Sequence, residues 1–248
     1  MTNPSPLKIE DRGTHVLATL DRPEKRNAID QELVDALHAM CADLEREPKT
    51  LVIRGEGGTF AAGADIAQLR ERRAADARAG INTRVFQRIN ALPMPVIAVL
   101  DGYALGGGAE LAYAADIRVG TPSLKIGNPE TGLGIIAAAG ATWRLRELVG
   151  EPIAAEILLA GRVLDADESL AAGLITYLLA DHGAALEQAE KIAARIAKLD
   201  PAATQASKRA LRAPRNAHPE IDLAEQAILF ESPEKIRRMT EFLERKKS

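Results

Sequence analysis

The sequence predicts an α/β domain followed by a helical module. Three observations predict it. Short apolar runs bounded by turn formers alternate with segments of helical period up to about residue 180. From His182 onward the signal is almost purely helical. Between these lies Val96–Asp116, which reads as a strand, a tight glycine loop and a helix N-terminus.

Taken in order, Leu7–Glu10 and His15–Leu20 read as strands around a turn at Asp11-Arg12-Gly13. Arg22–Ala28 is a polar loop. Asp30 can cap a helix to about Glu45, with Leu33, Leu37, Met40 and Leu44 at spacings of three and four. Thr50–Arg54 is a strand and Gly55–Gly58 a turn. The second glycine-containing loop, Thr59–Asp65, leads into a helix over Ile66–Arg73. Ala74–Gly80 reads as a mobile polar stretch, and Ile81–Ala91 as a helix. Beyond the central stretch, Asp116–Val119 and Leu124–Ile126 are strands, and Gly127–Gly134 is a rigid, turn-rich loop. Ala138–Val149 is a helix that Gly150 ends, and Pro152 opens the next, Ile153–Ala160. Asp165 or Asp167 caps a short helix to Ala172, and Leu174–Leu179 is a strand. Four helices complete the chain: Ala184–Leu199, Pro201–Arg212, Pro219–Phe230 and Pro233–Lys246.

The central stretch carries the first functional signal. Val96–Leu100 is a buried strand by composition, and Asp101-Gly102 breaks it. Gly106, Gly107 and Gly108 precede the helix formers Ala109–Ala115. A helix N-terminus offers free N–H groups and the positive end of the dipole, and a loop without Cβ atoms lets a ligand approach the backbone. The site suits an anion, or an oxygen that becomes one during a reaction. The plainer reading is a tight turn with Glu110 as a dipole partner. Glu130, in Asn-Pro-Glu-Thr, likewise reads either as a second carboxyl beside a glycine-rich turn or as a solvated turn residue.

Composition narrows the class. The 248 residues are 46% apolar, enough for a core, and the net charge of −3 sets up no field for nucleic acid or a membrane. The basic clusters Arg70–Arg73 and Arg245-Lys246-Lys247 read as solvated helix faces. The single cysteine, Cys41, excludes an internal disulfide, and with His38 three residues earlier it makes no zinc site. Met1–Pro6 lacks the pattern of a signal peptide, and no apolar run approaches a membrane span. The expectation is a soluble cytoplasmic protein. A dinucleotide fingerprint, a P-loop, a nucleophile elbow and a His-Glu-x-x-His motif are all missing, and the four histidines are scattered. Proton chemistry therefore falls to carboxylates.

At this point the residues resemble a known family over essentially the whole chain, the enoyl-CoA hydratase/isomerase (crotonase) superfamily. Arg22-Pro23 with Asn27-Ala28, then Phe60–Ile66, then Asp101–Leu111, then Asp116-Ile117-Arg118, then Gly127–Glu130 with Leu133-Gly134 follow one another as its motifs do. The resemblance implies a crotonase-like spiral of ββα turns over residues 1–180, with an acyl-CoA site. It implies a helical C-terminal region, 181–248, that serves oligomerisation and covers the site. It implies that Ala64 and Gly107 supply the oxyanion-hole N–H groups and that Glu110 and Glu130 are the catalytic pair. Ala62, Asp65 and Ile66 match the loop along the acyl-CoA, and Lys25 and Arg26 fall where the CoA loop lies. The implied partner is an acyl-CoA substrate, with no metal or organic cofactor since CoA is part of the substrate, and a homotrimer or hexamer is expected.

The implied reaction is hydration of 2-enoyl-CoA to 3-hydroxyacyl-CoA, with Glu130 as the acid at C2 and Glu110 activating water. A double-bond isomerase and a non-catalytic acyl-CoA binder stand as alternatives. The chain departs from the family where Pro-Gly is common: Ile135–Ala141 is alanine-rich and Trp143 stands at a Gln position. Arg237-Arg238 replaces a common Glu-Gly. The first departure bears on the acyl pocket, the second on CoA contacts or a subunit interface.

Overall fold

The computed structural model describes residues 5–245. Met1–Pro4 of the N-terminal segment, and Lys246 and Lys247 of the last expected helix and basic cluster, lie outside them. The described residues divide into two compact units, one up to Ala194 and one from Arg195. That division falls in the last turn of helix His182–Ile196.

The first unit is built on two sheets. Strands β1 (Leu7–Asp11), β2 (His15–Leu20), β3 (Thr50–Gly55) and β4 (Val96–Leu100) pair in that order. Strand β5 (Tyr103–Leu105) leaves for the second sheet, β6 (Ile117–Gly120) returns to pair with β4, and β7 (Lys125–Gly127) leaves again. Strand β8 (Val163–Asp165) pairs with β7, and β9 (Tyr177–Leu178) closes the first sheet beside β6. The pairs β4/β5 and β6/β7 each give one strand to each sheet before a helical segment follows, as in the expected spiral of ββα turns. Only β1/β2 and β7/β8 are antiparallel. Every residue of β4 is fully buried, because a central parallel strand has both faces covered.

Helix α1 (Gln31–Arg46) starts where Asp30 predicts: its side chain accepts the Leu33 N–H at 3.0 Å, and the stripe Leu33, Leu37, Met40, Leu44 is buried. Helix α2 (Ile66–Glu71) is shorter than expected. The stretch expected to be mobile is instead helix α3 (Ala74–Ala79), opened by an Arg73 N–H to Asp76 hydrogen bond and ended by left-handed Gly80. The pattern hid it because a six-residue helix of small, exposed residues has no apolar stripe. Helix α4 (Ile81–Asn90) agrees with expectation, and α5 (Gly107–Ala114) carries the glycine loop into the core.

The expected helix over 138–149 begins three residues later, as a π-helical turn (Ala141–Leu145) that runs into α6 (Arg146–Ala160). Gly150 does break the helix, at φ 76°, but Pro152 restarts it within one residue. Helix α7 (Ala166–Ala171) is capped by Asp165, not Asp167. Helix α8 (His182–Ile196) crosses into the second unit, which holds α9 (Pro201–Arg212), α10 (Glu220–Phe230) and α11 (Pro233–Arg245). Arg237 and Arg238 both pair with Glu234 on their own helix.

Candidate active site

Two loops converge at the C-terminal ends of β3 and β4. Phe60 N–H donates to Asp101 O, Ala61 N–H to Tyr103 O, and Leu105 N–H returns to Ala61 O, at 2.9–3.0 Å. This zipper brings the loop backbones so close that a Cβ on Gly108 would lie 2.1 Å from Ala61 O. Glycine is required there. On its other side the loop bridges Ile29, whose N–H donates to Gly63 O at 2.8 Å and whose C=O accepts from Asp65 N–H at 3.0 Å. These bonds step over Ala64, and alternation along a strand turns its N–H away from Ile29. Gly107 opens α5, where the first N–H groups have no helical acceptor. A Cβ on Gly107 would lie 3.6 Å from Ala64 N. Two N–H donors without acceptors among the described residues therefore flank one small space.

Both candidate carboxyls reach this region. Glu110, on the first turn of α5, is 4% exposed, and its Oε1 accepts the Ala139 N–H at 2.6 Å and the Ala141 N–H at 3.2 Å. Burial raises it to about 7; the charge of Glu130 acts the same way and the backbone donors act against it. The alanine-rich segment thus holds Glu110 through main-chain N–H groups, which its side-chain changes leave intact. Glu130 sits on a 3-10 turn, Pro129–Leu133, and is 9% exposed. Burial raises it as well. Its Oε1 accepts from Asn128 Nδ2 at 3.3 Å, while its buried Oε2 has no partner among the described residues. A Cβ on Gly106 would lie 3.1 Å from Glu130 Oε1, so the bare loop gives the carboxyl its room. The Tyr113 hydroxyl, one turn along α5 from Glu110, donates to Asn128 Oδ1 at 3.0 Å and turns the amide N–H₂ toward Glu130. Sequence reasoning missed Asn128 and Tyr113; the i, i+3 spacing of Glu110 and Tyr113 on one helix was the available signal.

Ala64, Gly107, Glu110 and Glu130 all line one cavity of about 680 Å³, together with Ala62 and Ile66. Asp65 is not part of its wall; it caps α2 by accepting Gln68 N–H at 3.0 Å. Lys25 and Arg26 are exposed and lie outside the wall, although Arg26 O accepts the Ala62 N–H at 3.0 Å. Asn82, Arg72 and Arg73 line the cavity and had not been singled out as site residues. Trp143 lines a second cavity, of about 240 Å³, that shares Glu110 and Ala139 with the first. Among the described residues no group of three or more His, Cys, Asp or Glu could hold a metal ion.

A profile of the enoyl-CoA hydratase/isomerase family matches residues 11–248. The chain belongs to the enoyl-CoA hydratase/isomerase family. Within that family it is 34% identical to the short-chain-enoyl-CoA hydratase of Clostridium acetobutylicum, over 90% of this chain and 85% of the relative. It is 35% identical to the 2,3-dehydroadipyl-CoA hydratase of Escherichia coli, over 87% of this chain and 85% of the relative. The crystal structure of an enoyl-CoA hydratase from Thermoplasma volcanium superposes with a TM-score of 0.88 at 35% identity, covering 96% of this chain and 97% of that one. The enoyl-CoA hydratase/isomerase fold thus accounts for both the spiral of sheets and the glycine loop at its centre.

Proposed function

We propose that the chain hydrates 2-enoyl-CoA thioesters to 3-hydroxyacyl-CoA. The observation that carries the proposal is the convergence, in one cavity, of two acceptorless N–H donors and two buried carboxyls. Adding water across the C2=C3 bond of a thioester moves negative charge onto the carbonyl oxygen. The Ala64 and Gly107 N–H groups meet that oxygen as the enolate forms, and a single donor of this kind is worth about 3–4 kcal/mol of barrier.

The carboxyls divide the protons. Ionised Glu110 takes a proton from water as its oxygen bonds to C3. Protonated Glu130 gives its proton to C2 as the enolate collapses. The cycle closes when the proton on Glu110 returns to Glu130 through water in the cavity. Two features support this division: the two N–H donors to Glu110 oppose the burial that raises it to about 7, so that it can ionise near neutral pH, whereas the partnerless Oε2 of Glu130 has no donor to hold a charge. CoA enters as part of the substrate. The 34% and 35% identical relatives are named for different acyl groups, so identity does not select the acyl chain.

Self-association as a homotrimer or hexamer belongs to the same proposal. Its support is the exposure of Ile228, Phe230, Ile236, Met239 and Leu243, each more than half exposed, on α10 and α11. No helix of the described residues is long and apolar enough to cross a membrane.

The test is incubation with crotonyl-CoA in ¹⁸O-labelled water. Labelled 3-hydroxybutyryl-CoA, absent with Glu130→Gln, is the expected result. Loss of the conjugated thioester without label points to isomerisation, and binding without turnover to a non-catalytic acyl-CoA protein.

A further inference from the structure

Several polar side chains of the cavity wall have no task in the scheme above, and one of them, Asn82, stands beside the N–H donors. Asn82 lies in the first turn of α4, just after left-handed Gly80. Its Nδ2 would stand 3.4 Å from a Cβ on Gly107, and Ala64 N 3.6 Å from the same point. The amide therefore borders the same small space as the two N–H donors. Its Oδ1 is buried and has no partner among the described residues. An unmet buried acceptor costs stability, and an apolar residue of the same shape would remove that cost. Holding an amide here makes physical sense if its other end works on a ligand.

We propose that Asn82 is a third hydrogen-bond donor to the thioester oxygen, its Nδ2–H closing the cradle opened by Ala64 and Gly107. The inference rests on the thioester reading of the site. It assigns the residue to a substrate oxygen that gains charge, because a donor beside two N–H groups complements an anion and an acceptor there would oppose it. Asn82 is then a catalytic residue, and its bond is stronger to the enolate than to the ground-state carbonyl.

The test uses Asn82→Leu and Asn82→Asp in the full chain. With crotonyl-CoA, Asn82→Leu should lose about 10²-fold in kcat with little change in KM, the pattern for an interaction made in the transition state. Asn82→Asp should lose more, since a carboxylate repels the enolate. Asn82→Leu should also melt at a higher temperature than the wild type, as the partnerless Oδ1 is gone; a purely structural asparagine would give the opposite shift. A second readout is independent of hydration: acetoacetyl-CoA bound in such a cradle is drawn toward its enolate, which absorbs in the near ultraviolet, and Asn82→Leu should weaken that band. Wild-type kcat and an unchanged enolate band in Asn82→Leu would overturn the proposal. A wild-type protein that shows the band but hydrates no enoyl-CoA would sink the hydratase reading while leaving the role of Asn82 testable.

Discussion

Glu110 and Glu130 are the residues on which turnover should depend most directly. Replacing either by Gln keeps the shape and the hydrogen-bond acceptor but removes the proton transfer. Turnover should fall by about 10²–10⁴-fold while the circular dichroism spectrum stays unchanged. Burial of Glu110 also has a stability cost with a definite sign. Between its ordinary 4.5 and about 7, the native carboxyl holds a proton that the unfolded one has lost. Stability therefore falls as pH rises through that window. In Glu110→Gln this contribution disappears, so the variant should gain in Tm over the wild type more at pH 8 than at pH 5. The glycines give a second test. A Cβ on Gly107 meets nothing nearer than 3.4 Å, whereas one on Gly108 would strike Ala61 O at 2.1 Å. Gly107→Ala should fold and lose activity because the methyl group crowds the cradle. Gly108→Ala should fail to accumulate as folded protein, which expression and thermal melting would show.

At the scale of elements, the site depends on stitches between loops. Asn27 is fully buried; its Oδ1 accepts the Arg22 N–H at 2.8 Å, and its Nδ2 donates to Glu56 O at 3.0 Å and Thr59 O at 2.7 Å. It joins the N-terminal loop to the loop carrying Ala64. Asn27→Ala would strand three polar groups, each worth about 1–3 kcal/mol when buried and unmet, and should lower Tm by several degrees together with kcat. The sequence showed Asn27 as one residue of a polar loop and of a motif resembling the family's N-terminal loop, but not as a stitch, because two of its partners lie 29 and 32 positions away. What was legible had a local cause: the continuous apolar run of β4, the Asp30 cap, and glycines placed where a helix begins. Strands β5 and β8 were not legible. Each has three residues and exists because a neighbouring strand supplies its hydrogen bonds. Glu130 likewise is buried rather than a solvated turn residue, and a loop more than twenty positions earlier, at Gly106, lies against its carboxyl. Lys25 and Arg26 resembled ligand-loop residues by position, yet their side chains stand outside the cavity wall.

For the whole molecule, the exposed apolar residues of α10 and α11 lead to a test of assembly. Sedimentation at micromolar concentration should give a mass of three or six chains, and Ile228→Glu with Leu243→Glu should shift it downward. The proposed scheme also divides the two tasks of the site largely by chemical origin. In that scheme, charge on the substrate oxygen is met mainly by the main-chain N–H groups of Ala64 and Gly107, with the Asn82 amide as a side-chain addition, whereas protons move on the side chains of Glu110 and Glu130. A codon change can delete a carboxyl, but it cannot delete a peptide N–H unless it introduces proline. On that scheme the scaffold inherits the main-chain part of its anion stabilisation almost unconditionally and holds Asn82 and the two proton-moving glutamates as replaceable parts. A lineage that lost either glutamate would keep a cavity able to bind thioesters and steady an enolate, ready for another reaction that begins from the same intermediate.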